Sequence, residues 1–158
     1  MTTSPQASNP SETPPVGAHH AGPEGHERTR RDHAQELAED YVELIYDLTK
    51  EHGEARLVDL ADRIGVSHVT ANKTIGRLQR DGLVSRKPYR AIFLTEDGKA
   101  MAMRSRHRHA IVFRFLCAIG VGEAQARIDA EGIEHHISAI TLDAMSRHLS
   151  DRGEHLFP

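Results

Sequence analysis

Between Leu57 and Thr95 the chain sets out an order of elements that few folds share. Leu57-Val58-Asp59-Leu60-Ala61-Asp62-Arg63-Ile64 is a short amphipathic run, and Gly65-Val66-Ser67 breaks it. A second helical run follows from His68 to Asp81, with Val69, Ile75 and Leu78 as its expected buried set. Helix, glycine-containing turn and helix is the grammar of a helix-turn-helix. Ser67 stands at the start of the second helix, where its hydroxyl can accept from a free amide of the first turn. Gly82 closes that helix. Leu83–Lys87 and Ala91–Thr95 then read as two strands around a Pro88-Tyr89-Arg90 turn. A hairpin in that place is a wing. The expected DNA-facing residues are Ser67, His68, Thr70, Ala71, Asn72, Lys73, Arg77 and Arg80, with Arg86, Lys87 and Arg90 on the wing. Side chains of these types donate to phosphates and base edges, so double-stranded DNA is the expected partner. The net charge of −3 does not oppose this, because local basic patches matter more than the sum.

The flanks complete a mainly α fold class: a winged helix-turn-helix DNA-binding domain followed by a helical dimerisation domain. Residues 1–31 are rich in Ser, Thr, Pro, Gly and His and poor in large apolar side chains, so a disordered tail is expected. His19, His20 and His26 there read as a solvated tail sooner than as ligands. Leu37, Tyr41, Leu44, Ile45 and Leu48 recur at helical spacing from about His33 to Glu51, and Gly53 ends that helix. The DNA-binding domain is expected over 32–98, and the helical metal-binding and dimerisation domain over 99–152. Residues 153–158 form a short tail. Thr95 is the expected cap of a long helix reaching about Ile119. Another helix runs from about Glu123 to His136, and Ser138 opens a last one to about Ser150. Ile140, Leu142, Met145 and Leu149 are the apolar set of that last helix, and a monomer of this size cannot bury Phe113, Phe115, Leu116, Leu142 and Met145 together, so a homodimer is expected. The single cysteine, Cys117, sits in an apolar run and reads as a buried thiol in a cytoplasmic protein. No stretch is long and apolar enough for a membrane span.

Glu131-Gly132-Ile133-Glu134-His135-His136 puts two carboxylates and two imidazoles into six residues. At roughly 100° per residue, Glu131, Glu134 and His135 share one helical face. That face is either a solvated helix end or a ligand set for a hard or borderline divalent cation. Asp40 and Glu43 share a face of the first long helix, and His109 lies in the middle of the helix that follows the wing. Together these give four carboxylates and two imidazoles, an inventory that two ions bridged by carboxylates would use fully. His107 points away from His109 on a helix, and His136 reads as an outer partner or a solvated residue.

Asp40-Tyr41-Val42-Glu43, the helix-turn-helix with its wing, Arg108-His109 and the run Asp129–His136 resemble the diphtheria-toxin-repressor, or iron-dependent repressor, family over roughly 33–150. Within it they are similar to the manganese-responsive transport regulators. The resemblance implies a homodimeric repressor of manganese uptake genes whose metal sits between reader and dimer. It also implies Asp40, Glu43, His109, Glu131, Glu134 and His135 as a binuclear Mn(II) site, two ions per subunit. Glu43 and Glu134 would bridge, and the Glu131 carbonyl would be a further ligand. Iron-responsive relatives carry softer Met and Cys ligands where this chain has Asp40 and Glu134, and they add an SH3-like domain for which Pro158 leaves no room. An Fe(II)- or Zn(II)-responsive repressor is the nearest alternative. A dinuclear metallohydrolase is a remote one, because no nucleophile or oxyanion donor accompanies the ligands.

Overall fold

The structure, a computed structural model, describes residues 23–86 and 91–153. The expected tails at 1–22 and 154–158, and the wing turn with Lys87 and Arg90, lie outside the described residues. Helix α1 runs Pro23–His52. Residues 23–31, expected in the disordered tail, are therefore helical, and the helix starts ten residues before His33. Proline suits the first helical position, where no amide is needed. Arg30, Arg31 and Asp32 are exposed, so no apolar stripe marks the extension. Once the anchored part of α1 exists, each added residue gains a hydrogen bond without a new nucleus.

The anchored part carries Ala38, Tyr41, Val42, Ile45 and Leu48, all buried. They pack with Leu60 of α2 (Leu57–Ile64) and with Ile75 and Leu78 of α3 (His68–Arg80). Gly65 ends α2 at φ 77, a left-handed conformation that glycine adopts without cost, and its amide bonds Ala61 O. Ser67 caps α3 by accepting from the Thr70 amide at 3.1 Å. The buried stripe of α3 is Ala71, Thr74, Ile75 and Leu78. Val69, expected inside, is 65% exposed, and Ala71, expected outside, is fully buried. The two are two residues apart, roughly 200° around a helix, so they cannot share the face that Ile75 and Leu78 fix.

Strands β1 (Val84–Arg86) and β2 (Ile92–Leu94) are antiparallel, pairing Val84 with Leu94 and Arg86 with Ile92. Ile92 also donates to Ala55 O at 2.8 Å, which ties the hairpin to the segment before α2. Helix α4 (Glu96–Ala118) starts at Thr95, which accepts from the Gly98 amide and donates its hydroxyl to Gly82 O at 2.7 Å. Helices α5 (Glu123–Ile133) and α6 (Ala139–Asp151) pack on α4, whose first half packs on α1. Helix α5 ends at Ile133, so Glu134, His135 and His136 lie in a turn and not on the expected helix to His136. Gly132 sits just before that end, and glycine weakens a helix's last turn. Ser138 caps α6 through the Thr141 amide. Leu149 is buried, but Ile140, expected beside it, is 80% exposed in the single chain, as is Ile128 of α5 at 66%. Among the described residues no helix is long and apolar enough to cross a membrane.

Candidate metal centre

Glu134 is the first residue past α5, and its side chain is 3% exposed. Its amide still bonds Ala130 O, so the carboxylate keeps a helical direction and points toward α4. There one oxygen meets His109 Nδ1 at 2.5 Å. The other lies 3.5 Å from His135 Nε2. Glu131, one turn earlier, brings a carboxylate oxygen to 3.8 Å from His109 Nδ1. His109, Glu131 and Glu134 thus offer three ligand atoms within 4.8 Å of one another. From α1, Asp40 reaches 3.5 Å from His135 Nε2. Glu43 bonds Ser105 of α4 and feels the charges of Glu134 and Glu131. Asp40, Glu43, His109, Glu131 and Glu134 line one cavity between α1, α4 and α5, with Asp47, Arg63 and Arg106 at its rim. All six residues singled out by sequence converge around Glu134, drawn from three separate parts of the chain. His107 and His136 are exposed and stand outside this group.

Burial and mutual repulsion act on these carboxylates together. Burial pushes Asp40 above the usual carboxylate range, His135 opposes this, and Glu36, Glu131 and Glu134 add to it. Burial likewise raises Glu43, opposed by the Ser105 hydrogen bond, with Glu134 raising it further. Half-buried carboxylates that repel one another are costly without a cation. Four carboxylates with two imidazoles fit a hard or borderline divalent ion, and no thiolate is among them.

The imidazoles answer the carboxylates with a proton. The hydrogen bond to Glu134 raises His109 above its ordinary value of 6.5, against burial. The hydrogen bond to Glu39 does the same for His135. A histidine raised in the folded state contributes stability that is complete below the unfolded value and is lost as pH rises through the folded one. Metal-free protein is therefore expected to melt at falling temperature as pH climbs from about 6.5. Asp40 and Glu43 act with the same sign at lower pH. Glu39 acts oppositely, but only as pH falls below the carboxylate range. Metal affinity should rise over the same alkaline window, since His109 must shed its proton to ligate. Melting in chelator across that range checks the first part, and a flat or rising melting temperature would contradict it.

Glu39 is the functional candidate that sequence reasoning missed. It is 5% exposed. Burial raises its carboxyl, but hydrogen bonds with His135, Gln35 and Arg108 outweigh this and hold it below its usual value. One signal pointed to it: Glu39 precedes Asp40 and Arg108 precedes His109, so residues of opposite charge to each other adjoin ligand candidates on two helices.

The expected DNA surface is partly redrawn. Ser67, His68, Thr70, Asn72 and Lys73 are exposed at the start of α3. Ala71 is buried and cannot reach DNA from its side chain. Arg77 is half-buried and donates to Ala34 O of α1 at 3.4 Å, turned toward the core by the rotation that buries Leu78 beside it. Arg86 of the wing donates to Asn72 at 2.5 Å.

Residues 33–92 match the family model described as iron dependent repressor, N-terminal DNA binding domain. Residues 95–155 match iron dependent repressor, metal binding and dimerisation domain. The chain is 52% identical over 121 residues to the transcriptional regulator MntR of Escherichia coli O6:H1, across 77% of this chain and 78% of that protein. It is 39% identical over 105 residues to the HTH-type transcriptional regulator MntR of Bacillus subtilis, across 66% of this chain and 74% of that one. Its fold is similar to a manganese-dependent transcriptional repressor in complex with manganese, at TM-score 0.63 and 30% identity over 72% of this chain and 52% of that one. The manganese regulator SloR gives the same TM-score at 23% identity, over 72% of this chain and 53% of that one. The chain spans about half the length of these solved structures.

Proposed function

The chain belongs to the iron-dependent repressor family of metal-responsive transcriptional regulators, and on that footing we propose that it is a Mn(II)-activated homodimeric repressor of manganese uptake genes, holding two ions per subunit and acting on double-stranded operator DNA in the cytoplasm. It is not an enzyme. The observation that carries the reading is that ligand candidates from α1, α4 and the turn after α5 meet at Glu134 while α1 also lies under the DNA reader. Asp40, Glu43, His109, Glu131, Glu134 and His135 would hold the ions. A divalent cation supplies there the positive charge that four crowded carboxylates otherwise lack.

The residues of the chain do the rest. Tyr41, Ile45 and Leu48 fasten α1 to Leu60, Ile75 and Leu78 of the reader, so α1 and α3 move as one body. Asp40 and Glu43 on the open face of α1 stand across the cavity from His109, Glu131 and Glu134. Asp47 pairs with Arg106 of α4 below them, and Arg63 of α2 reaches Glu51 at 2.6 Å at the same rim. Repulsion among Asp40, Glu43 and Glu134 opposes closure of this junction. A divalent ion held by these residues would supply positive charge that offsets the repulsion, and the spacing of the two readers in the dimer would become defined. By linkage, metal that prefers the held form raises DNA affinity by the same factor that DNA raises metal affinity.

Equilibrium dialysis against Mn(II) tests the count, with two ions per subunit expected and a single ion contradicting it. DNA affinity at matched free Mn(II), Fe(II) and Zn(II) tests the metal. Activation by Zn(II) alone would replace the manganese reading with a zinc one.

A further inference from the structure

We propose that Glu39 is a positioning residue of this centre, one that orients His135 and ties it to Arg108, so that the imidazole and the helix carrying His109 are set by one carboxylate. The inference rests on the metal-binding reading above.

A glutamate buried to 5% among Ala38, Tyr41 and Val42 is expensive unless every oxygen is used. Both oxygens of Glu39 are. Oε1 accepts from Gln35 Nε2 at 2.9 Å. Oε2 accepts from Arg108 Nη2 and from His135 Nδ1, the latter at 2.9 Å. The His135 side chain is itself 5% exposed, so it has few other ways to settle its ring. In the neutral imidazole, with Nδ1–H given to Glu39, the other nitrogen carries the lone pair. That nitrogen, Nε2, is the one 3.5 Å from Asp40 Oδ1 and 3.5 Å from Glu134 Oε1. A carboxylate behind an imidazole fixes its tautomer and rotation and makes the front nitrogen a stronger donor to a cation.

The second half of the role runs through Arg108. Its guanidinium bonds Glu39 and also Ser105 at 3.3 Å, and Ser105 in turn bonds Glu43. One connected set of polar groups therefore passes from His135 to Glu39, Arg108, Ser105 and Glu43. It joins the turn after α5 to α4 and α1 behind the cavity. Asp40, next to Glu39 in sequence, faces the cavity itself. Adjacent residues of α1 thus serve opposite sides of the same imidazole.

The test uses full-length protein, free Mn(II) followed by its aqueous electron paramagnetic resonance signal, and the variants Glu39→Ala, Glu39→Gln and Glu134→Ala. Removing a partner of this kind weakens metal binding by about 10–100-fold. Glu39→Ala is expected to fall in that range. Glu39→Gln fills the same space and keeps one neutral acceptor, so a loss of roughly tenfold is expected. Should the alanine variant fail to fold, the glutamine variant carries the test alone. In metal-free protein, at a pH high enough for His135 to be neutral, long-range nitrogen–proton correlation is expected to show its single proton on Nδ1 in the wild type and lose that preference in Glu39→Ala. Unchanged Mn(II) affinity in folded Glu39 variants, or a neutral wild-type imidazole protonated on Nε2, overturns the proposal. Glu134→Ala separates the two readings: Mn(II) binding unchanged in that variant would overturn the metal site itself.

Discussion

Replacing Glu134 by alanine is expected to weaken Mn(II) binding by about a hundredfold or more, since even the loss of a group behind a ligand costs about 10–100-fold. DNA affinity should then be the same with Mn(II) as with chelator. Glu134 earns this weight by position. It is the only one of the four carboxylates that is fully buried, and it touches both imidazoles. It also lies close enough to Asp40 and Glu43 to raise both. The substitution removes the central carboxylate of the proposed ligand set while leaving the apolar core of α1, α2 and α3 untouched. It also removes repulsion that destabilises the metal-free form. Circular dichroism and sedimentation should therefore report a folded dimer. A variant that unfolds would assign Glu134 to the scaffold instead.

The second large effect concerns the joint between reader and dimer half. Gly98→Ala is expected to destabilise the protein by roughly 2–3 kcal/mol, as forced insertion into a packed site does. A Cβ there would lie 2.0 Å from the Leu83 carbonyl oxygen, which is backbone and cannot swing aside. That carbonyl accepts the Thr95 amide, so moving it also disturbs the start of α4. Alanine is the better helix former by about 1 kcal/mol, so a loss reverses the sign that propensity alone dictates. Gly76 of α3 provides the contrast. Nothing lies within 4 Å of its added Cβ, and Gly76→Ala is expected to stabilise by up to about 1 kcal/mol. Urea unfolding of metal-free protein at one concentration measures both. Equal and favourable shifts for the two would contradict the close approach of α4 to the Leu83 carbonyl just before β1.

The reader was legible because its signals are local. Gly65, Ser67, Gly82 and Thr95 each mark an element boundary through backbone chemistry within a few residues, and the structure places each at such a boundary. The run around Gly132 alone left a solvated helix end and a ligand set open, and the resemblance to the repressor family joined it to Asp40, Glu43 and His109. Other features depend on tertiary packing. Val69 and Ala71 exchanged places because the face α3 buries is chosen by Ile75 and Leu78 meeting α1, not by the hydrophobicity of its first turn. The start of α1 at Pro23 left no periodic trace, because residues 23–31 include no large apolar side chain. Glu39 stayed hidden because its partners, Arg108 and His135, are distant in sequence, and one more acid beside Glu36, Asp40 and Glu43 looks solvated.

The most direct measurement is the affinity of the full chain for a DNA duplex selected by its Mn(II)-loaded form from a random pool, followed by fluorescence anisotropy at fixed salt. Binding in saturating Mn(II) is expected to be tighter than in chelator by a factor within about 5–150, the range of typical allosteric coupling. Equal affinity in the two conditions would contradict a metal-held junction between α1 and the parts that carry His109 and Glu134, α4 and the turn after α5.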